Sequence, residues 1–377
     1  MRREEQRSAG EGTEIDINQI IIYIMVFFAL LGAADYIAGD RFGLGGKFTE
    51  GIMAMGPLTI SMAGLLVLTP VISRYLGPVI VPVFQKIGAD PAMFAGILFA
   101  IDMGGAPLAA EMTADAQAAA LGGIITGSML GATIVFTIPV ALGIVRGEDR
   151  QILAKGILTG LITIPLGVIT GGLTAGFSAG MVLRNTIPIA VISLAIAFGM
   201  WKWEKRLITI FVWFGRFIVT VSIIGLALGL VDQLTGFAAF EGMTSLKEVF
   251  LIIGNIAILL AGAFPLVHLI TRLFEKPLIK AGRLLGINRP AAAGFLVSLA
   301  NSIPMFGMLK DMDPRGKVMN MAFAVSGAFV LGDHLGFTAS YSPQMIVPLL
   351  AGKLTAGVTA AALACLLSRR QKSQKDE

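Results

Sequence analysis

The chain has 377 residues, of which 55% are hydrophobic and only 14% charged, and its mean hydropathy is +0.82. Soluble domains average about 25% charged residues, so the composition excludes an ordinary soluble protein and indicates an all-α, polytopic integral membrane protein. The net charge of +5 does not indicate a nucleic-acid partner, because Lys and Arg lie mainly in short loops and tails, as they do beside anionic lipid surfaces. A single cysteine, Cys365, excludes an internal disulfide and a Cys-rich metal site.

Apolar runs long enough to cross a membrane, about 20 residues each, follow a polar stretch at 1–16 that we predict to be disordered. The first run has the length of a signal-peptide core, but the mixed charge before it and the many later runs favour an uncleaved helix. The eleven runs lie at 17–37, 53–73, 92–110, 118–145, 152–176, 181–200, 207–231, 248–271, 291–309, 318–337 and 345–367. Two shorter segments, Tyr75–Gly88 and Phe274–Gly286, contain Pro and Lys, and we predict them to be interfacial or re-entrant.

The two halves of the chain share a weak internal repeat. An offset of 198 residues pairs Gly88 with Gly286 and Arg74 with Arg272 without a gap. We therefore predict a first membrane repeat at 17–176, a connecting helix and loop at 177–206, a second repeat at 207–367 and a basic tail at 368–377. Such internal symmetry is typical of secondary transporters. The pattern leaves open whether the repeats are parallel or inverted.

Positive charge constrains the number of crossings. If the stretch before the first run is cytoplasmic, the loops at 146–155, 202–206 and 272–289 are cytoplasmic as well. Eleven full crossings would then leave Arg369 and Arg370 on the opposite side, which the positive-inside rule disfavours. An even number of crossings would remove the conflict, so we expect 10–11 transmembrane segments and predict that the run at 291–309 does not cross as a simple helix.

Two apolar runs are interrupted by polar or helix-breaking residues. The first interruption is Asp102, followed by Gly104, Gly105 and Pro107, and the second is Asn301-Ser302-Ile303-Pro304. Backbone that leaves the helix at membrane depth must be buried in protein or line a watery cavity. A carboxylate beside freed carbonyls suits a cation, so we predict that Asp102, Gly104, Gly105, Asn301 and Ser302 contribute to a substrate site. The alternative is that Asp102 caps a half-helix or pairs with Arg216.

A further acid and a histidine lie within a later apolar run. Asp333 and His334 follow Gly332, and an ionisable residue at such a depth is a functional-site hypothesis by default. We add both residues to the predicted site, together with Phe306, whose ring can face an ammonium group. The alternative is that Asp333 marks a helix end at the water boundary. For Arg216 and Lys353, snorkelling to the interface and pairing with a buried carboxylate both remain open.

These same residues carry a dense resemblance to a known family. It includes Phe48-Thr49-Glu50-Gly51, Gly77-Pro78-Val79-Ile80-Val81-Pro82, Asp102-Met103-Gly104-Gly105, Thr133 to Gly143, Ile303-Pro304-Met305-Phe306-Gly307-Met308 and Gly332-Asp333-His334-Leu335-Gly336-Phe337. Over about residues 17–367 the chain resembles the ethanolamine-utilisation membrane transporters of bacteria, the EutH family. The resemblance implies a multi-pass permease, not an enzyme, that takes up ethanolamine through the bacterial cytoplasmic (inner) membrane.

The residues make physical sense of that implied substrate. The ammonium form of ethanolamine cannot cross hydrocarbon unaided, so Asp102 or Asp333 would take the ammonium group and Asn301 or Ser302 the hydroxyl. No cofactor and no metal site is predicted, since only two His and one Cys are present. A coupling ion, either a proton or sodium, and a homo-oligomer remain open. The alternative functions are a cation or amine channel and a membrane-embedded enzyme, for which no nucleophile–base pair is recognisable.

Overall fold

The computed structural model describes residues 17–145 and 147–373, and within these ranges the chain is helical, with turns but no strands. The prediction of an all-α polytopic protein is confirmed. The predicted disordered stretch at 1–16 lies outside the described residues. The α-helices are α1 (Ile17–Ile37), α2 (Leu44–Met53), α3 (Met55–Leu58), α4 (Gly64–Lys86), α5 (Ala92–Leu98), α6 (Ala106–Met112), α7 (Ala116–Ala119), α8 (Ile138–Ile144), α9 (Arg150–Thr174), α10 (Ala179–Thr235), α11 (Leu246–Leu285), α12 (Arg289–Ala300), α13 (Ser302–Met308), α14 (Pro314–Gly327), α15 (Asp333–Tyr341) and α16 (Ile346–Ser373). Wider π-helical turns at Thr59–Ala63, Ile101–Gly105, Ala120–Gly131 and Thr133–Thr137 connect several of them.

Eight helical stretches of the described chain are long and apolar enough to cross a membrane. They account for eight of the eleven predicted runs, and α10 supplies two of them because its backbone kinks at Trp203. The other three predicted runs, at 92–110, 291–309 and 318–337, are broken helices. The segments predicted to be interfacial or re-entrant, Tyr75–Gly88 and Phe274–Gly286, form the ends of the long helices α4 and α11, and their position relative to the membrane stays a prediction.

Two of the broken runs are re-entrant hairpins. Hairpin 1 comprises α5, the π-helical turn and α6, and hairpin 2 comprises α12 and α13. At the base of hairpin 1, the Thr113 hydroxyl donates to Asp90 Oδ2 at 2.9 Å. At the base of hairpin 2, Asn288 Nδ2 donates to the Asp311 carbonyl, also at 2.9 Å. Because the two ends of each hairpin are bonded to each other, each hairpin enters and leaves the bundle at the same face, as we predicted for the run at 291–309.

The helix ends group into two opposite faces. At the first, which we call the Asp90 face, the Asp90 amide donates to Asn185 Oδ1 near the start of α10, and Ser73 of α4 donates to the Glu111 carbonyl. At the second, the Asp149 face, Lys317 Nζ contacts Asp149 Oδ1 at 2.6 Å. Hairpin 1 therefore inserts from the Asp90 face and hairpin 2 from the Asp149 face. The eight long spans, with α14 and α15 as a broken ninth pass, connect the two faces.

The break between α14 and α15 holds the second hairpin in place. The amide of Phe329 donates to the Ser298 carbonyl at 3.0 Å, and the amide of Leu331 donates to the Leu299 carbonyl at 2.8 Å. Phe329 takes a left-handed φ of 61°, a conformation that is strained for a residue with a bulky side chain. The strain is maintained because this turn supplies donors to carbonyls near the end of α12.

Both halves contain the same order of elements. A long helix, α4 or α11, is followed by a glycine at positive φ (Gly88 at 75°, Gly286 at 70°), then by a hairpin, an interrupted pass and a final long helix. The predicted division at 17–176, 177–206 and 207–367 and the repeat itself stay predictions. With that division, the two hairpins insert from opposite faces, as inverted repeats require.

Hairpin 1 depends on close backbone packing at Gly96. A Cβ added to Gly96 would overlap the Gly122 carbonyl of the neighbouring π-helical segment, whereas a Cβ added to Gly77 would meet nothing within 4 Å. We expect Gly96→Ala to destabilise the protein by about 1–3 kcal/mol through overpacking, measured as a lower thermal unfolding midpoint of the purified protein in detergent. Gly77→Ala is the matched control. Equal midpoints for the two variants would contradict this packing.

Candidate functional site

A cavity of about 1150 Å³ lies inside the membrane-spanning region, and the two hairpin tips reach it from opposite faces. Asp102 and Met103 line it from hairpin 1, Asn301 and Ile303 from hairpin 2, and Asp333 from the start of α15. Its remaining lining comes from Glu50, Met53, Ala54, Pro57, Leu58, Ser61, Val135, Phe136, Val140, Val212, Gly215, Arg216, Val219, Thr220, Phe264 and Phe329. The structure thus brings three of the sequence-predicted residues, Asp102, Asn301 and Asp333, to one cavity.

Asp102 reaches the cavity because the chain leaves the helix just before it. Phe99 and Ala100 are extended, with ψ of 139° and 152°, and the chain then turns tightly at Gly104, where φ is 92°. A Cβ on Gly105 would lie 2.7 Å from the carbonyl oxygens of Phe99 and Ala100. Gly104 and Gly105 are buried and do not line the cavity, so they shape the tip and are not placed for direct contact with a solute.

Asp333 is the first residue of α15, and the helix dipole favours a carboxylate at that position. Asp333 and Asp102 are close enough for their charges to interact. The neighbouring His334 is 4% exposed, and its Nε2 lies 4.0 Å from Asp102 Oδ1. The His334 ring packs against Phe329, with centroids 5.3 Å apart, and its Nδ1 has no hydrogen-bond partner among the described residues. His334 therefore lies behind Asp102 and outside the cavity lining.

Of the three residues of hairpin 2 that we predicted to bind the substrate, only Asn301 lines the cavity. Asn301 Oδ1 accepts the Ile303 amide at 2.8 Å and so caps α13. Ser302 is fully buried, with a hydroxyl that has no partner in the described chain. Phe306 is 2% exposed and packs in the core. Neither Ser302 nor Phe306 lines the cavity, so neither is placed for the direct substrate contact predicted from the sequence.

Lys353 lies near Asp102, although we did not include it in the site predicted from the sequence. It is 1% exposed, and its Nζ donates to the Ser128 carbonyl at 2.6 Å. Its charge also interacts with that of Asp102. The snorkelling interpretation is wrong for this lysine, because its ammonium group points into the protein. The signal was present in the sequence as a lone Lys in the apolar run of α16.

We call the part of the cavity that is lined by Asp102, Asn301 and Asp333 its floor, and two further charged residues line the cavity. Arg216 and Glu50 are both exposed and both line it, so Arg216 is not buried against Asp102. No group of three or more His, Cys, Asp or Glu side chains that could hold a metal ion is found in residues 17–145 and 147–373. The chemistry available at the floor is that of two carboxylates, an amide and, behind them, an imidazole and an ammonium group.

The fold and the cavity together define a multi-pass membrane protein with the architecture of a solute transporter, in which broken helices meet at mid-depth. The chain belongs to the EutH family of ethanolamine utilisation proteins, whose family description, "Ethanolamine utilisation protein, EutH", matches residues 17–367. This confirms the resemblance seen in the sequence.

Several relatives match over nearly their whole length. The chain is 53% identical to the "Probable ethanolamine permease EutH" of Listeria monocytogenes, covering 94% of this chain and 95% of the relative. It is 48% identical to the "Uncharacterized protein YxeR" of Bacillus subtilis (96% and 98% covered) and 46% identical to the "Probable ethanolamine permease EutH" of Salmonella typhimurium (93% and 95% covered). No solved structure matches the chain.

The capping role of Asn301 can be separated from a role in binding. We expect Asn301→Ala to cost about 1 kcal/mol of stability, because α13 loses its N-cap, whereas Asn301→Ser keeps a capping oxygen and retains most of it. Thermal unfolding of both variants in detergent measures the difference. If Asn301→Ala unfolds at the wild-type midpoint, the hydrogen bond to Ile303 is not what fixes the hairpin tip.

Proposed function

We propose that this chain transports ethanolamine in its ammonium form across the bacterial cytoplasmic membrane, by alternating access around a site at the tips of the two hairpins. The observation that carries the proposal is the convergence of Asp102 and Asp333, from two separate helix breaks, on one cavity at membrane depth. The names of the relatives from Listeria monocytogenes and Salmonella typhimurium support ethanolamine as the substrate and a permease rather than an enzyme.

Two carboxylates at this depth suit an ammonium ion. An isolated charge inside a membrane protein is costly, so acids there are paired with cations or line watery pathways. Lys353 alone cannot balance both Asp102 and Asp333, and it is bonded to the Ser128 carbonyl. A protonated amine between the two carboxylates would supply the second positive charge. The Asn301 Nδ2 would then donate to the hydroxyl oxygen of ethanolamine.

The size of the cavity supports separate roles for its floor and its outer part. Pockets that bury drug-sized ligands measure about 300–1000 Å³, whereas ethanolamine is a much smaller molecule. A cavity of about 1150 Å³ is therefore an access path, with selectivity located at its floor. Buried residues such as Gly104 and Phe337 lie beyond that floor, and this favours a carrier over an open channel.

The central test is uptake of radiolabelled ethanolamine into proteoliposomes. We expect Asp102→Asn and Asp333→Asn each to lower the uptake rate at least ten-fold, because a neutral amide cannot balance the ammonium charge. Asp232→Asn is the matched control, because Asp232 lies near the end of α10 and lines neither of the cavities at Asp102 and at Thr113.

If both Asp102→Asn and Asp333→Asn take up ethanolamine at the wild-type rate, the proposed site is wrong. The same proteoliposomes, with imposed pH or sodium gradients and with choline and serine as competitors, identify the coupling ion and the substrate range. Saturable uptake that competitors inhibit is expected of a carrier, whereas a rate that rises linearly with concentration would indicate a channel.

A further inference from the structure

The two faces of the protein differ in positive charge. The Asp90 face carries, among the described residues, Arg74, Lys86, Arg184 and Lys247. The Asp149 face carries many more, namely Arg41, Lys47, Lys155, Lys202, Lys205, Arg206, Lys276, Lys280, Arg283, Arg289, Lys310, Arg315 and Lys317. Cytoplasmic loops are enriched in Lys and Arg, so the Asp149 face is assigned to the cytoplasm. This assignment places the start of α1 on the outer side, opposite to the orientation considered from the sequence.

The cavity described above extends from its floor toward the Asp149 face. Val140 lies in α8, which ends near that face, and Val212 lies in the part of α10 that begins there. Glu50 lies in α2, which also starts at the Asp149 face. The acids Asp102 and Asp333 are thus reached from the cytoplasmic side in this conformation.

A second cavity, of about 490 Å³, lies at the Asp90 face, and we call it the alanine cavity. Its lining residues are Ala106, Ala110, Thr113, Ala114, Ala116, Gln117, Ala119, Ala120, Ile124, Phe177, Tyr341, Ser342, Gln344 and Met345. None of these lining residues is charged, and several carry neutral oxygen acceptors. The alanine cavity therefore has a chemistry different from that of the acidic floor.

Three elements line both cavities. In α15, Asp333 lines the acidic floor and Tyr341 lines the alanine cavity. In hairpin 1, Asp102 lines the floor and Ala106 the alanine cavity. In the pass that begins with α7, Val135 lines the cavity that contains the acids and Ile124 lines the alanine cavity. The two cavities therefore lie one after the other along the same three elements.

The stretches between the cavities are closed by packed side chains. In α15, residues 334–339 are all buried, and the Phe337 ring stacks on Tyr341 with centroids 5.2 Å apart. Eight residues of helix from Asp333 to Tyr341 amount to about 12 Å. In the neighbouring pass, Ile125 to Ile134 are buried too. Packed residues thus separate the alanine cavity from the acids, over about 12 Å along α15 but over only the four residues from Asp102 to Ala106 in hairpin 1.

We propose that the alanine cavity is the extracytoplasmic mouth of the transport path, where a small protonated amine first binds to neutral acceptors such as Gln117, Ser342 and Gln344. The buried stretch of α15, with Phe337 and Tyr341 at its outer end, is the barrier that must open to pass the amine to Asp102 and Asp333. This inference rests on the proposed function, but the position of the two mouths can be tested without transport.

Sidedness is measured with a matched pair of serine-to-cysteine variants in a Cys365→Ser background. Ser342 lines the alanine cavity and Ser61 lines the acidic one. The reagent is a charged, membrane-impermeant methanethiosulfonate, applied to right-side-out and to inside-out membrane vesicles. We expect Ser342→Cys to react at least ten-fold faster in right-side-out vesicles and Ser61→Cys at least ten-fold faster in inside-out vesicles. Ala120→Cys replaces Ser342→Cys if that variant does not fold.

A functional readout accompanies the labelling. Attaching the bulky cationic reagent to Ser342→Cys from outside should lower ethanolamine uptake at least five-fold, because it fills the mouth. Reversed sidedness, or full labelling with unchanged uptake, would overturn the proposal. If the sidedness holds while Asp102→Asn and Asp333→Asn transport normally, the failure lies in the proposed binding site and the assignment of the two mouths stands.

Discussion

Two interruptions of helical backbone at membrane depth constrain the rest of this structure, because every group they free must be bonded inside the protein. At hairpin 1, the amides of Met103 and Gly105 both donate to the Ala100 carbonyl. At hairpin 2, the carbonyls of Ser298 and Leu299 accept amides from the turn between α14 and α15. The second hairpin is thus bonded to the broken pass beside it, which explains why a strained Phe329 is kept there. The arrangement that satisfies the backbone also brings Asp102 and Asp333 to one cavity.

The second constraint is the negative charge of the two carboxylates, which the two helix breaks bring to one cavity. Asp333 begins a helix, and Asp102 lies in the π-helical turn that leads into α6, so each carboxylate lies near a favourable dipole end. Lys353 lies close enough for its charge to interact with that of Asp102, but it bonds to the Ser128 carbonyl. The cluster contains more acid than base while the cavity holds no amine. We propose that a site of this kind attracts a small cation and that the amide of Asn301 contributes to its selectivity.

Much of this arrangement could be predicted from the sequence, because a polar or Gly-Pro interruption of an apolar run has few physical explanations in a membrane. Asp102, Asn301 and Asp333 lie at such interruptions, and all three line the cavity. The sequence could not decide which residues face a solute. Ser302 and Phe306 have suitable chemistry but are buried elsewhere, since the hairpin turns once Asn301 has capped α13.

Other features depend on tertiary packing that no local pattern encodes. An apolar run of about 20 residues has the same composition whether it crosses the membrane or folds back, so only the contacts between Asp90 and Thr113 and between Asn288 and Asp311 identify the hairpins. Asp35, near the end of α1, is buried and accepts the amides of Phe42, Leu44 and Gly45 from the following turn and the start of α2. The position of Lys353 depends on how α16 packs against the pass that contains Ser128.

The most direct measurement is equilibrium binding of radiolabelled ethanolamine to the purified protein, comparing wild type with an Asp102→Asn/Asp333→Asn double variant that keeps its thermal unfolding midpoint. The proposed site requires that the double variant bind at least a hundred-fold more weakly, because both counter-charges for the ammonium group have been removed. Equal affinity in the folded double variant would contradict it, and would mean that the acids at the hairpin tips do not hold the amine.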